Sequence, residues 1–292
     1  MRDCIGLRSL SEARQWRAES IRFAEGAPLI RKLLLAAILA CLSPAPAFVA
    51  EVDLYSSKAI VTGTGEENRT LGLRECVAKV LVRVSGDQRL LHNAAMDAIV
   101  EAAASHVASY RYRDRLEGVP IHDEQGSYAR PHDLTCVFDP AHVDDLLAQL
   151  GSKPWPLPRP GVAVFVHVVQ GERSFALTED GGESPYMGES LALAAEPLAL
   201  EATLPRAAAR PELSGELPSP EQFEALREAA GTSVPLAITL DWSDQALGWI
   251  ANYRMVNEKG VQDWSATGIS FDEAFRIAMR GAAQVLSGNG PP

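Results

Sequence analysis

The segment Gly188-Glu189-Ser190-Leu191-Ala192 approximates the G-x-S-x-G of a nucleophile elbow, with alanine in the last place. An elbow needs a strand before the serine and a helix after it, because the strained turn is what exposes the hydroxyl. The preceding Glu183-Ser184-Pro185-Tyr186-Met187 reads as a loop, so a serine nucleophile is not expected. Six histidines come next: His92, His106, His122, His132, His142 and His167. No H-E-x-x-H, C-x-x-C or H-x-H spacing surrounds them, so zinc has no recognisable cradle. His142 stands near Asp139, Asp144 and Asp145 at a helix start, where acidic residues ordinarily complement the dipole. His167 alternates with Phe165 and Val169, the pattern of a satisfied interior histidine. No Walker A loop, dinucleotide fingerprint or S-x-x-K is present. No catalytic, cofactor-binding or metal-binding residue is therefore assigned, and the sequence points away from an enzyme more than towards one.

Cys76 and Cys136 both fall on apolar faces of the first half of the chain. In an oxidising compartment they are candidates for a disulfide closing a long loop. The alternative is two separate buried thiols, and the sequence leaves both open. Neither cysteine has the electropositive, exposed setting of a reactive thiolate. Trp242, Trp249 and Trp264 crowd the C-terminal strands, where aromatics more often pack under a helix than form a binding surface.

The elements that must position these residues follow from periodicity. Leu73, Cys76, Val77, Val80, Leu81 and Val84 form a helical stripe that Gly86 ends. Met96, Ile99, Val100, Ala103 and Val107 predict a second helix. Strands are expected near Val52–Val61 and at Leu134–Phe138. Asp139-Pro140 caps a helix whose buried stripe is Val143, Leu146, Leu147 and Leu150. The run 154–161 has four prolines in eight residues, a stiff strap between modules. Beyond it, Val162–Val169 reads as a strand covered on both faces. Residues 171–218 are rich in Gly, Pro, Ser and Glu, with regular structure hinted only at 191–195 and 197–202. Ser219-Pro220-Glu221-Gln222 and Ser270-Phe271-Asp272-Glu273 are capping boxes. Strands are expected at 234–241, 247–256 and 261–269. The expected class is α+β: a first module at 51–153, a second at 162–288, and a frayed tail at 289–292.

Arg31-Lys32, the apolar run Leu33–Leu42 and the small residues Ala45 and Ala47 have the order of a secretory signal peptide over 31–50. The apolar core is about half the roughly 20 residues a spanning helix needs. Cleavage is expected after Ala47 or Ala50, and Cys41 in Ile38-Leu39-Ala40-Cys41 is a minor lipoprotein alternative. Residues 1–30, polar and of mixed charge, are expected to be a mis-annotated extension. The chain has 292 residues, 47% of them hydrophobic, which rules out a wholly disordered chain, and its formal net charge of -11 argues against a broad nucleic-acid footprint.

Val80-Leu81-Val82-Arg83-Val84-Ser85-Gly86-Asp87 is the most motif-like stretch. Tyr110-Arg111-Tyr112, Phe138-Asp139-Pro140, Leu146-Leu147, and Trp155 with Arg159-Pro160 follow it in order. On these residues the chain resembles the proteobacterial domain-of-unknown-function family numbered 2066, from about Val52 to Val169. The resemblance implies an exported protein and carries no activity or site residue. The element order of the second module is similar to that of TolB amino-terminal domains, an analogy of fold alone. Together these readings predict an exported, periplasmic, non-enzymatic protein that binds an envelope partner, without cofactor, nucleic acid or later transmembrane span. The alternative is a periplasmic small-ligand-binding protein or an enzyme whose site has no local motif.

Overall fold

The computed structural model describes residues 53–120, 129–209, 211, 213, 215–257 and 260–292. The expected leader, the extension before it, Cys41 and His122 lie outside the described residues. Residues Val52–Pro292 belong to one compact unit. Among the described residues the architecture is mixed α/β, with two sheets.

The first sheet has the order β1-β3-β2 and is antiparallel throughout, with β1 at Ser56–Thr62, β2 at Ser109–Asp114 and β3 at Pro131–Val137. Between β1 and β2 run α1 (Glu66–Ser85), α2 (Ala94–Glu101) and α3 (Ala103–His106); α4 (Pro140–Gln149) follows β3. Strand alternation sends Ala59, Val61, Leu134 and Cys136 to one face, against the predicted stripe of α1. All six stripe residues are buried. The second predicted helix is interrupted at Ala102, giving α2 and α3 instead of one element. Asp139 caps α4 by accepting from the His142 backbone N–H.

The second sheet runs β5-β4-β7-β8-β9, with β6 beside β4. Its elements are β4 (Val162–Gln170), β5 (Arg173–Ala176), α5 (Pro185–Ala195), β6 (Ala202–Thr203), α6 (Pro220–Ala230), β7 (Val234–Ser243), β8 (Gly248–Asn257), β9 (Gly260–Ile269) and α7 (Phe271–Leu286). β4 and β7 are parallel, with Val164 opposite Leu236. One face packs under α5 and α7 through Val164, Val166, Ile238, Tyr253, Leu191, Phe275 and Met279. The other packs Phe165 and Ala237 under Phe223 and Leu226 of α6. Burying each phenylalanine contributes roughly 2–3 kcal/mol. The continuous apolar run of β4 is thus covered on both sides. Ser219 and Gln222 form the reciprocal capping box. At α7 only half of the predicted box forms: Ser270 accepts from the Glu273 N–H, while the Glu273 carboxylate pairs with Arg276 and Arg280 instead.

The motif-like stretch 80–87 is a joint. Gly86 takes φ 69° and donates to the Val82 carbonyl, ending α1. A Cβ there would stand 2.8 Å from both Ser287 Cβ and Trp155 Cε3, so the position admits only glycine. Trp155 N–H donates to the Val84 carbonyl at 2.8 Å. The Gln88 N–H donates to the buried Gln284 amide oxygen at 2.8 Å, and Asn289 Nδ2 to the Ser85 carbonyl at 3.0 Å. Arg159 donates to the carbonyls of Arg83, Val84, Trp155 and Leu198 and stacks on the Trp155 ring at 4.2 Å.

Candidate functional site

The face of the three-stranded sheet turned away from α1 is built by the residues that alternate with its core set. Lys58 of β1 and Arg111 of β2 both stand opposite Thr135 of β3, and Arg113 stands opposite Asp133. The alternation Tyr110-Arg111-Tyr112-Arg113 is what puts both arginines on this face. From α1, Lys79 and Arg83, one turn apart, reach the open edge of β1. With Ser56, Ser57, Glu196 and Pro197 these residues line a groove of about 320 Å³. Five basic side chains meet two acidic ones, so the lining is cationic on a chain of net charge -11.

The five cations are not equivalent. Arg83 is committed to the walls, donating to the backbone carbonyls of Asp53 and Glu196. Burial lowers its pKa, and the charges of Glu196 and Asp53 work against that shift. Lys79 pairs with Glu75 at 2.5 Å and donates to the Lys58 carbonyl at 2.9 Å. Asp133 pairs with Arg115 at 3.5 Å. Lys58, Arg111 and Arg113 are exposed, and none of them makes an ion pair among the described residues. Guanidinium groups so placed offer planar, two-pronged donation to a carboxylate or phosphate. Ser57 is not poised as a nucleophile: its hydroxyl donates to the Cys76 carbonyl at 2.8 Å. The groove has the chemistry of anion recognition.

The residues singled out in the sequence lie elsewhere. Ser190 is inside α5, buried, with its hydroxyl donating to Asp272 at 2.6 Å, so it ties α5 to the start of α7. His106 Nδ1 meets His142 Nε2 at 2.9 Å, and the buried His106 Nε2 has no hydrogen-bond partner. His132 Nδ1 lies 2.8 Å from the Arg130 carbonyl. His167 Nε2 lies 3.1 Å from the Ser174 hydroxyl, across the β4–β5 ladder. Asp241 on the adjacent β7 has its pKa raised by burial and drawn back by His167. Among the described residues no group of three or more His, Cys, Asp or Glu side chains is placed to hold a metal ion. Trp249 is buried, whereas Trp242 is half exposed, edge-on to Trp249 at 5.5 Å. Trp264 stacks on Tyr253 at 5.2 Å.

Cys76 and Cys136 are brought together. Both are fully buried free thiols. The neighbouring Cys76 thiol, together with burial, pushes the Cys136 pKa up.

A family profile, "Domain of unknown function (DUF8605)", matches residues 49–156, just over a third of the chain. This corrects the resemblance drawn from the sequence, because it is a different family from the one numbered 2066. The physical reason is visible in the joint. An amphipathic helix, a left-handed glycine cap and a following acidic residue form a stretch whose pattern is set by helix termination, and such a pattern does not single out one family. No curated protein and no solved structure matches the chain, so the likeness to TolB amino-terminal domains gains no support.

Proposed function

We propose that this chain is an exported, two-module, non-enzymatic binding protein of the cell envelope whose cationic groove receives an acidic segment of a partner protein. The carrying observation is the concentration of Lys58, Arg111 and Arg113, exposed and without ion pairs among the described residues, at one groove of an acidic molecule. An otherwise anionic surface repels acidic chains, so a local cationic groove also sets where they dock. The leader pattern at 31–50 supports the export part of the reading.

Titration of the protein with a hexaglutamate peptide at low salt tests it. Binding is expected to weaken at least tenfold in the Arg111→Ala/Arg113→Ala double variant and to fade as salt shortens the screening length. Unchanged binding in the variant refutes the groove as the site. If succinate or inorganic phosphate binds as tightly as the peptide, the protein-partner part falls and the groove is a small-anion site. Amino-terminal sequencing of protein from the producing cell checks export: a chain beginning at Phe48 or Glu51 is expected, and one beginning at Met1 refutes it.

A further inference from the structure

We propose that Cys76 and Cys136 are a disulfide-forming pair that staples α1 to the central strand of the three-stranded sheet. Three observations place the sulfurs. Cys76 lies on the buried stripe of α1, and its Sγ is 3.8 Å from the Ser57 carbonyl and 3.8 Å from the Leu134 carbonyl. Ser57 is the register partner of Cys136, and Leu134 precedes Cys136 by two residues on the same face. The Cys76 sulfur is therefore boxed over the side chain of Cys136. Both residues are wholly inaccessible, so neither serves as an exposed redox centre or ligand.

The reaction is a thiol–disulfide exchange. A disulfide-bearing donor, protein or small molecule, is attacked by one cysteine thiolate, releasing one donor thiol and leaving a mixed disulfide. The second cysteine thiolate displaces the remaining donor thiol. Two protons leave the cysteines, and two electrons pass from their sulfurs to the donor, which ends as two thiols. Because the native pair is buried, the exchange occurs before α1 docks on β3. The staple also fixes the backbone beneath the groove, since Ser57, a groove residue, holds the Cys76 carbonyl. The inference does not depend on what the groove binds.

The test is refolding of the full chain from denaturant in oxidised and reduced glutathione, followed by alkylation in denaturant and peptide mapping. Cys76 and Cys136 are expected to resist alkylation until reduced and to appear in one cross-linked peptide pair. Reduction is expected to lower Tm by roughly 5–10 °C. The Cys76→Ala/Cys136→Ala variant should show no response to reductant. Full alkylation of both cysteines after oxidative refolding, or a wild-type Tm indifferent to reductant, overturns the proposal.

Discussion

Arg159 offers a demanding test of the joint at the end of α1. Its guanidinium donates to the carbonyls of Leu198 at 2.5 Å, Arg83 at 2.7 Å and Trp155 at 2.8 Å, with a longer contact to Val84 at 3.2 Å. It has no carboxylate partner among the described residues. Burial, helped by the neighbouring Arg83 charge, brings its pKa down to about 10. Replacing it with methionine removes a cation from the carboxyl end of a helix, where the dipole favours one. Three carbonyls lose their donor, at about 1 kcal/mol each. The stack on Trp155 adds about 1 kcal/mol. Relief from burying a charge offsets about 1 kcal/mol of this. The expected loss for Arg159→Met is therefore about 3 kcal/mol, a fall in Tm of roughly 6–12 °C for a unit of this size. Arg159→Lys keeps the charge, but one ammonium cannot span carbonyls from three segments, so a loss of about 2 kcal/mol is expected. Urea denaturation followed by tryptophan fluorescence measures both. A methionine variant as stable as the parent would show that the charge costs as much as its hydrogen bonds return, and that Arg159 does not hold the joint together.

Two further outcomes follow from packing and titration. A Cβ on Gly281 would come within 2.5–2.7 Å of three indole atoms of Trp264, so Gly281→Ala should destabilise by about 1–3 kcal/mol and shift the emission maximum; a stabilised variant refutes the fit. The His106 pKa is lowered by burial and then by His142, so below the ordinary 6.5 the unfolded chain binds the proton more readily than the fold does. Stability is then full above that pH and falls as pH drops through it, and a urea midpoint with the same pH slope in His106→Phe as in the parent contradicts this.

Much of the fold could be read from residue order, because its elements carry strong local signals. The stripe of α1, the Asp139-Pro140 cap, the Ser219 box and the unbroken apolar run of β4 each state their own environment. The break at Ala102 was not legible, since apolar spacing continues through it. Strand β2 was missed because its residues alternate tyrosine with arginine, without an aliphatic set. The same alternation was the one available sign of the groove. Lys58, Lys79, Arg83, Arg111 and Arg113 lie on three separate elements, and only the pairing of β1 and β2 to β3 gathers them. Ser190 and the histidines, the residues whose types most invite chemistry, carry no catalytic or metal-binding spacing, and Ser190 and His167 sit in a helix interior and a strand ladder.

The joint also sets the order in which the molecule can be completed. Gln88 waits for Gln284, 196 residues later, and Ser85 for Asn289, 204 residues later. Before α7 is made, Trp155 and Arg159 can engage Val84 and Arg83 at the carboxyl end of α1, but Ser85 and Gln88 still lack their partners. Helix α7 and the turn after it thus act as a latch, and a variant cut before α7 should be open to proteases at the very turn that the intact fold hides. The joint is complete only once α7 and the turn after it have folded back onto the end of α1, so closure of α1 depends on contacts some two hundred residues away in the chain.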